Sequence, residues 1–179
     1  MNILFGVTGG IAAYKAPSII SVLVNKGHNV IVSATKMALE FITQMALATM
    51  SKAPVITALQ EESTGIVKHI EVCHWCDVFV VAPCTANFLA KMAHGIADDA
   101  LSTIHLALPS DKAKRICPAM NTHMFKNPVV QRNLGELEKL GYELLPPDSW
   151  KLACGDEGIG KLPSTKTVVE FILGDVGYY

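Results

Sequence analysis

Six short segments of this 179-residue chain carry groups suited to chemistry. The first is Gly6-Val7-Thr8-Gly9-Gly10-Ile11-Ala12-Ala13. An apolar run passes into glycines and then into a helical pattern. Such a turn leaves backbone N–H groups free at a positive helix end, and glycine lets an anion approach them closely. The spacing is neither GxGxxG nor GxxxxGK[ST], so a phosphate site and a plain strand–helix turn both fit it. The second segment, Ala82-Pro83-Cys84-Thr85-Ala86-Asn87, follows the most apolar run. It sets hydroxyl and amide groups at a strand's carboxyl end, where open α/β sheets bind ligands, and Thr85 also suits a helix cap.

The third, Lys68-His69-Ile70-Glu71, holds a histidine able to act as a base near neutral pH. The fourth, Cys73-His74-Trp75-Cys76, invites a metal or redox reading. It lacks a second ligand pair and precedes a strand rather than following one, so packing cysteines and no metal site are expected. The fifth, Pro118-Ala119-Met120-Asn121-Thr122-His123-Met124, puts the amide of Asn121 at a strand end, where it can hold a carboxylate or form a turn. The sixth is Lys151-Leu152-Ala153-Cys154-Gly155-Asp156-Glu157-Gly158-Ile159-Gly160. Its glycines give mobility, and its thiol is exposed enough to donate a proton or to attack.

These segments need a frame. Asn2–Val7, Asn29–Ser33, Val78–Ala82, Arg115–Cys117 and Tyr142–Leu145 read as strands. Helical spacing covers Ile11–Lys26, where Pro17 implies a kink or a true start near Ala16. Gly27 ends that helix, and Thr35 caps a helix running toward Met45. Ile66–Trp75, Thr85–Ala93, Ala97–Ala107, a helix opened by Asn127-Pro128 and closed by Gly141, and Thr165–Leu173 complete the pattern. Pro146–Pro163 shows no periodicity and reads as a long functional loop. The β-α alternation predicts one domain over residues 1–179, with a parallel sheet covered by helices on both faces.

Composition narrows the function classes. Half of the residues are hydrophobic and 17% are charged, which excludes a disordered chain. No apolar run reaches the roughly 20 residues of a membrane helix. Fifteen basic and 16 acidic residues form no stripe, so nucleic acid and anionic membranes are poor partners. The start, MNILFGVTGG, is not that of a signal peptide, and five scattered cysteines suit a reducing cytoplasm. A mean hydropathy of +0.34 implies either a sheet covered on both faces or apolar surface buried between subunits.

Taken in order, TGGIAAYK, HIE, APCTAN, PAMNTHM and KLACGDEGIG resemble the homo-oligomeric flavin-containing cysteine decarboxylase family over nearly the whole chain. The resemblance implies a three-layer flavodoxin-like or Rossmann-like fold, FMN as cofactor, and trimers or multiples of trimers. It implies decarboxylation of 4′-phosphopantothenoylcysteine to 4′-phosphopantetheine, a step toward coenzyme A. The alternatives are a peptidyl-cysteine decarboxylase of the lantibiotic type and a non-catalytic regulatory flavoprotein. By the same resemblance, Gly9, Gly10 and Ile11 hold the FMN phosphate, and Ser33 and Thr35 add polar contacts. Thr85, Ala86, Asn87, Phe88 and Met120 line the flavin. His69 is the base, Asn121 grips the substrate carboxylate, and Cys154 is the acid. Met124, Lys151, Leu152 and Ala153 meet the substrate from the 146–163 loop and its surroundings.

Overall fold

A computed structural model describes residues 1–59, 68–151 and 157–175. Five parallel strands form the central sheet: β1 (Asn2–Val7), β2 (Asn29–Ala34), β3 (Val78–Cys84), β4 (Ala113–Pro118) and β5 (Tyr142–Leu144). Their order is β2-β1-β3-β4-β5, the flavodoxin-like arrangement. Both faces are covered. Ile3, Phe5, Val7, Val80 and Ala82 pack under α1 (Ala16–Asn25), α2 (Gln44–Ser51) and α8 (Thr165–Leu173). Leu4, Phe79, Val81 and Ile116 pack under α3 (Lys68–Trp75), α4 (Ala86–His94), α5 (Ala100–Leu106) and α7 (Pro128–Lys139). Alternate residues of one strand thus serve opposite layers, which requires the continuous apolar runs seen in β1 and β3.

The conflict at Pro17 resolves locally. Ile11–Lys15 winds as a tight 3-10 turn, and α1 begins at Ala16 with Pro17 in its first turn. Thr35 Oγ1 accepts the N–H of Ala38, but the turn that follows spans only Ala38–Glu40 and has Met37 at its N-cap. A side-chain cap at Thr43 then opens α2, so one predicted helix is two. The predicted loop 146–163 contains an antiparallel pair, β6 (Asp148–Lys151) and β7 (Glu157–Lys161). Asn121 caps the one-turn α6 (Thr122–Phe125). Among the described residues no helix is long and apolar enough to cross a membrane. Cys73, Cys76, Cys84 and Cys117 are buried free thiols. Cys73 donates to the carbonyl of Ile104, and burial pushes its thiol up to about 11. These contacts are packing contacts.

One buried polar pair lies away from the strands' carboxyl ends. His105 Nε2 meets Tyr142 Oη at 2.6 Å, while His105 Nδ1 is buried without a partner. Burial, aided by Lys114, lowers the imidazole pKa from 6.5 to about 4. The folded chain therefore refuses a proton that the unfolded chain accepts. The stability this represents is complete above pH 6.5 and is lost as pH falls toward 4, about 3 kcal/mol over that window. Urea midpoints at pH 7 and pH 4.5 should separate more in the wild type than in His105→Phe.

Candidate functional site

The sheet order places a switch point between β1 and β3. After β1 the chain turns to the α1 layer, and after β3 it turns to the α4 layer. Loops departing to opposite faces open a crevice at the strands' carboxyl ends. A cleft of about 1070 Å³ lies there. Gly9, Gly10 and Ile11 form one wall, with Thr35, Lys36 and Met37 beside them. Thr85, Ala86, Asn87 and Phe88 form the second, and Met120, Asn121 and Met124 the third. Gly160, Lys161 and Leu162 close the fourth side.

Three features suit this cleft to a phosphate-bearing, flat cofactor. Among the described residues, the N–H groups of Gly9, Gly10 and Ile11 donate no backbone hydrogen bond. Gly9 is packed so closely that a β-carbon there would lie 2.1 Å from Met37 Cγ and 2.8 Å from the Met37 carbonyl carbon. A β-carbon on Gly10 would meet only Thr85 Cγ2, at 3.6 Å, so the space over this glycine is open. The remaining surface is largely apolar, with Met37, Phe88, Met120 and Leu162 in the walls.

Thr8 pins the crevice. Its hydroxyl donates to the carbonyl of Pro83 at 2.7 Å and accepts the N–H of Thr85 at 3.0 Å. The β1 and β3 ends are thereby fixed to one another. Thr85 in turn caps α4 by accepting the N–H of Phe88. Replacing Thr8 with valine keeps the shape and strips both bonds. The expected loss is about 2 kcal/mol, since a buried carbonyl and a buried amide lose their partner. Denaturant midpoints check the stability.

Asn121 is held by its own cap. Its Oδ1 accepts the N–H of His123 at 2.8 Å. With the oxygen engaged, the amide NH₂ has no partner among the described residues and is a donor pair suited to a carboxylate. Lys91 also lines the cleft, paired with Asp98 and Asp99.

The predicted site residues divide accordingly. Gly9, Gly10, Ile11, Thr35, Thr85, Ala86, Asn87, Phe88, Met120, Asn121 and Met124 converge on the cleft. Ser33 does not. It is fully buried in β2, and its hydroxyl donates to the Ile56 carbonyl at 3.1 Å. His69 is half-buried in the first turn of α3 and lies outside the cleft wall. A helix feeding a parallel strand runs back against it, so His69 stands at the cleft's end of the sheet. Leu152, Ala153 and Cys154 lie outside the described residues. Lys151 closes β6, opposite Glu157. Lys15, Lys36, Met37, Lys91 and Leu162 were missed by the motif reading. The Lys15 in TGGIAAYK and the cation–carboxylate spacing of Lys91 with Asp98-Asp99 were the available signals.

A family model described as Flavoprotein matches residues 1–177. The chain belongs to the flavoprotein family. Among flavoproteins, it is 41% identical over 172 residues to a probable phosphopantothenoylcysteine decarboxylase of Streptococcus mutans serotype c, covering 96% of both chains. It is 40% identical over 170 residues to the coenzyme A biosynthesis bifunctional protein CoaBC of Bacillus subtilis (strain 168), of which it spans 41%. A solved phosphopantothenoylcysteine decarboxylase, a cysteine-to-serine mutant complexed with pantothenoylaminoethenethiol, superposes with a TM-score of 0.84 at 30% identity, covering 97% of each chain. The FMN-dependent cysteine decarboxylase SpaF superposes with a TM-score of 0.82 at 29% identity, covering 98% of this chain and 96% of that one.

Proposed function

We propose that this flavoprotein is an FMN-dependent 4′-phosphopantothenoylcysteine decarboxylase, releasing CO₂ and 4′-phosphopantetheine for coenzyme A synthesis. The observation that carries this reading is Asn121: its oxygen is tied down by the His123 N–H, and it lines the same cleft as the glycine turn Gly9–Ile11. One cleft thus offers a donor for a substrate carboxylate and a turn suited to a cofactor phosphate. When bound, FMN supplies an acceptor for an electron pair and later returns it.

The chain's own residues do the rest. Gly9, Gly10 and Ile11 hold the FMN phosphate, with Thr35 adding a hydroxyl. Thr85, Ala86, Asn87, Phe88 and Met120 shape the slot for the ring. Asn121 orients the carboxylate that leaves, and Met124 and the Lys151–Ala153 segment bound the substrate. His69 takes the proton that frees the carbon bearing sulfur for oxidation. Cys154 protonates the enethiol carbon that decarboxylation leaves. The protein acts as a homotrimer or a multiple of trimers, so that His69 of one copy serves the cleft of another. Exposed Ile11, Tyr14 and Met37 in the cleft wall support such an assembly. Four buried free thiols suit the reducing cytoplasm.

Mass spectrometry of the FMN-loaded protein with 4′-phosphopantothenoylcysteine tests the proposal. Loss of CO₂ alone, giving a saturated product, is expected. Loss of CO₂ with two hydrogens would favour a peptidyl-cysteine type of decarboxylase. No reaction would sink the decarboxylase reading.

A further inference from the structure

The glycine turn and the wall that carries Asn121 belong to different elements, and one side chain bridges them. Lys15 ends the 3-10 turn after β1 and lines the cleft. Its ammonium donates to two successive carbonyls beyond β7, those of Leu162 at 2.7 Å and Pro163 at 3.1 Å. Within β7, Gly160 has φ of +137°, a region closed to most side chains. Its carbonyl accepts the N–H of Met120 at 2.9 Å. A β-carbon on Gly160 would lie 2.1 Å from the Met120 oxygen. Backbone therefore touches backbone there, with no side chain between to absorb a shift.

We infer that Lys15 is a positioning residue: through Leu162, Pro163 and Gly160 it fixes the Met120-Asn121 segment at a set distance from the glycine turn. Asn121 cannot hold a carboxylate at the reacting distance unless that segment and the cofactor wall keep one spacing. Lys15 ties the two walls across 147 residues of sequence. The ammonium is partly desolvated and has Lys161 nearby, with Asp148 opposing, which together hold its pKa below the usual lysine range. Its remaining proton is free, so a direct contact with the cofactor phosphate is the competing role.

The inference rests on the decarboxylase reading for the role of Asn121, and the test separates the two. Substrate and FMN dissociation constants are measured by calorimetry, the substrate on FMN-loaded protein carrying His69→Asn to prevent turnover. Lys15→Met should weaken substrate binding at least about tenfold, the scale of a lost charge-assisted hydrogen bond. It should leave FMN binding within about threefold. Lys15→Arg, whose fork reaches two adjacent carbonyls, should restore most of the substrate affinity. Added to Asn121→Ala, Lys15→Met should cost little more, because the group it positions is gone. Additive losses, or an FMN constant raised tenfold, would overturn the inference. If Lys15→Met does not fold, Lys15→Arg decides: unchanged melting with unrecovered substrate affinity also overturns it. No effect of Asn121→Ala by itself would instead count against the decarboxylase reading.

Discussion

Asn121→Asp should fold like the wild type, bind FMN, and turn over 4′-phosphopantothenoylcysteine about a thousandfold more slowly. The fold survives because the substitution keeps the cap. Asn121 Oδ1 accepts the N–H of His123 to start α6, and an aspartate oxygen does this equally well. What changes is the other half of the side chain. The free NH₂ becomes a carboxylate oxygen, and the substrate brings a carboxylate to the same place. Two like charges about 4 Å apart at an effective dielectric near 20 repel by about 4 kcal/mol, which is about three powers of ten. A loss this size with an unchanged melting temperature cannot be assigned to misfolding. Steady-state CO₂ release beside a thermal melt checks both halves. Near-normal kcat/KM would remove the carboxylate from the neighbourhood of Asn121.

The same residue shows how much of the molecule was legible beforehand. Asn121, Thr85 and the glycine turn sit at strand ends, and strand ends follow from apolar periodicity. These turns could therefore be placed at the carboxyl end of the parallel sheet that the β-α alternation implies, whereas the strand order that opens the cleft between β1 and β3 came from the structure. Ser33 misled because it too is a hydroxyl near a strand end, yet it lies one residue inside β2 and bonds to Ile56. The β6–β7 hairpin was invisible because Pro146, Pro147, Gly158 and Gly160 mark it as loop, while its register is shifted at Asp148 and Ser149. Its place is set by Gly160 against Met120, a tertiary contact that no local pattern encodes. Lys15 was hidden for the same reason: its partners are 147 and 148 residues away. Thr35 shows the opposite failure: its local signal was read, but the helix after it was drawn too long, because Thr43 opens a separate helix.

His69 gives the sharpest result to be expected, because its position conflicts with a site made by one copy. It stands at the right end of the sheet but outside the cleft of its own chain. His69→Asn should bind FMN and lose about a thousandfold in CO₂ release, the usual scale for removing a general base. Asn121→Asp is comparably inactive. If His69 reaches the cleft of a neighbouring copy, the two defects lie in different subunits' contributions to one site. Co-expressed in equal amounts, half of the clefts carry an intact Asn121, and half of their neighbours supply an intact His69. About a quarter of wild-type activity should then return, a recovery that random assembly of two inactive chains allows only for shared sites. The purified mixture should keep full flavin content, and its activity should vanish when the two variants are expressed apart and mixed without exchange. Co-expression that yields no more than either variant alone would place His69 and Asn121 in the service of the same chain, or exclude His69 from the reaction.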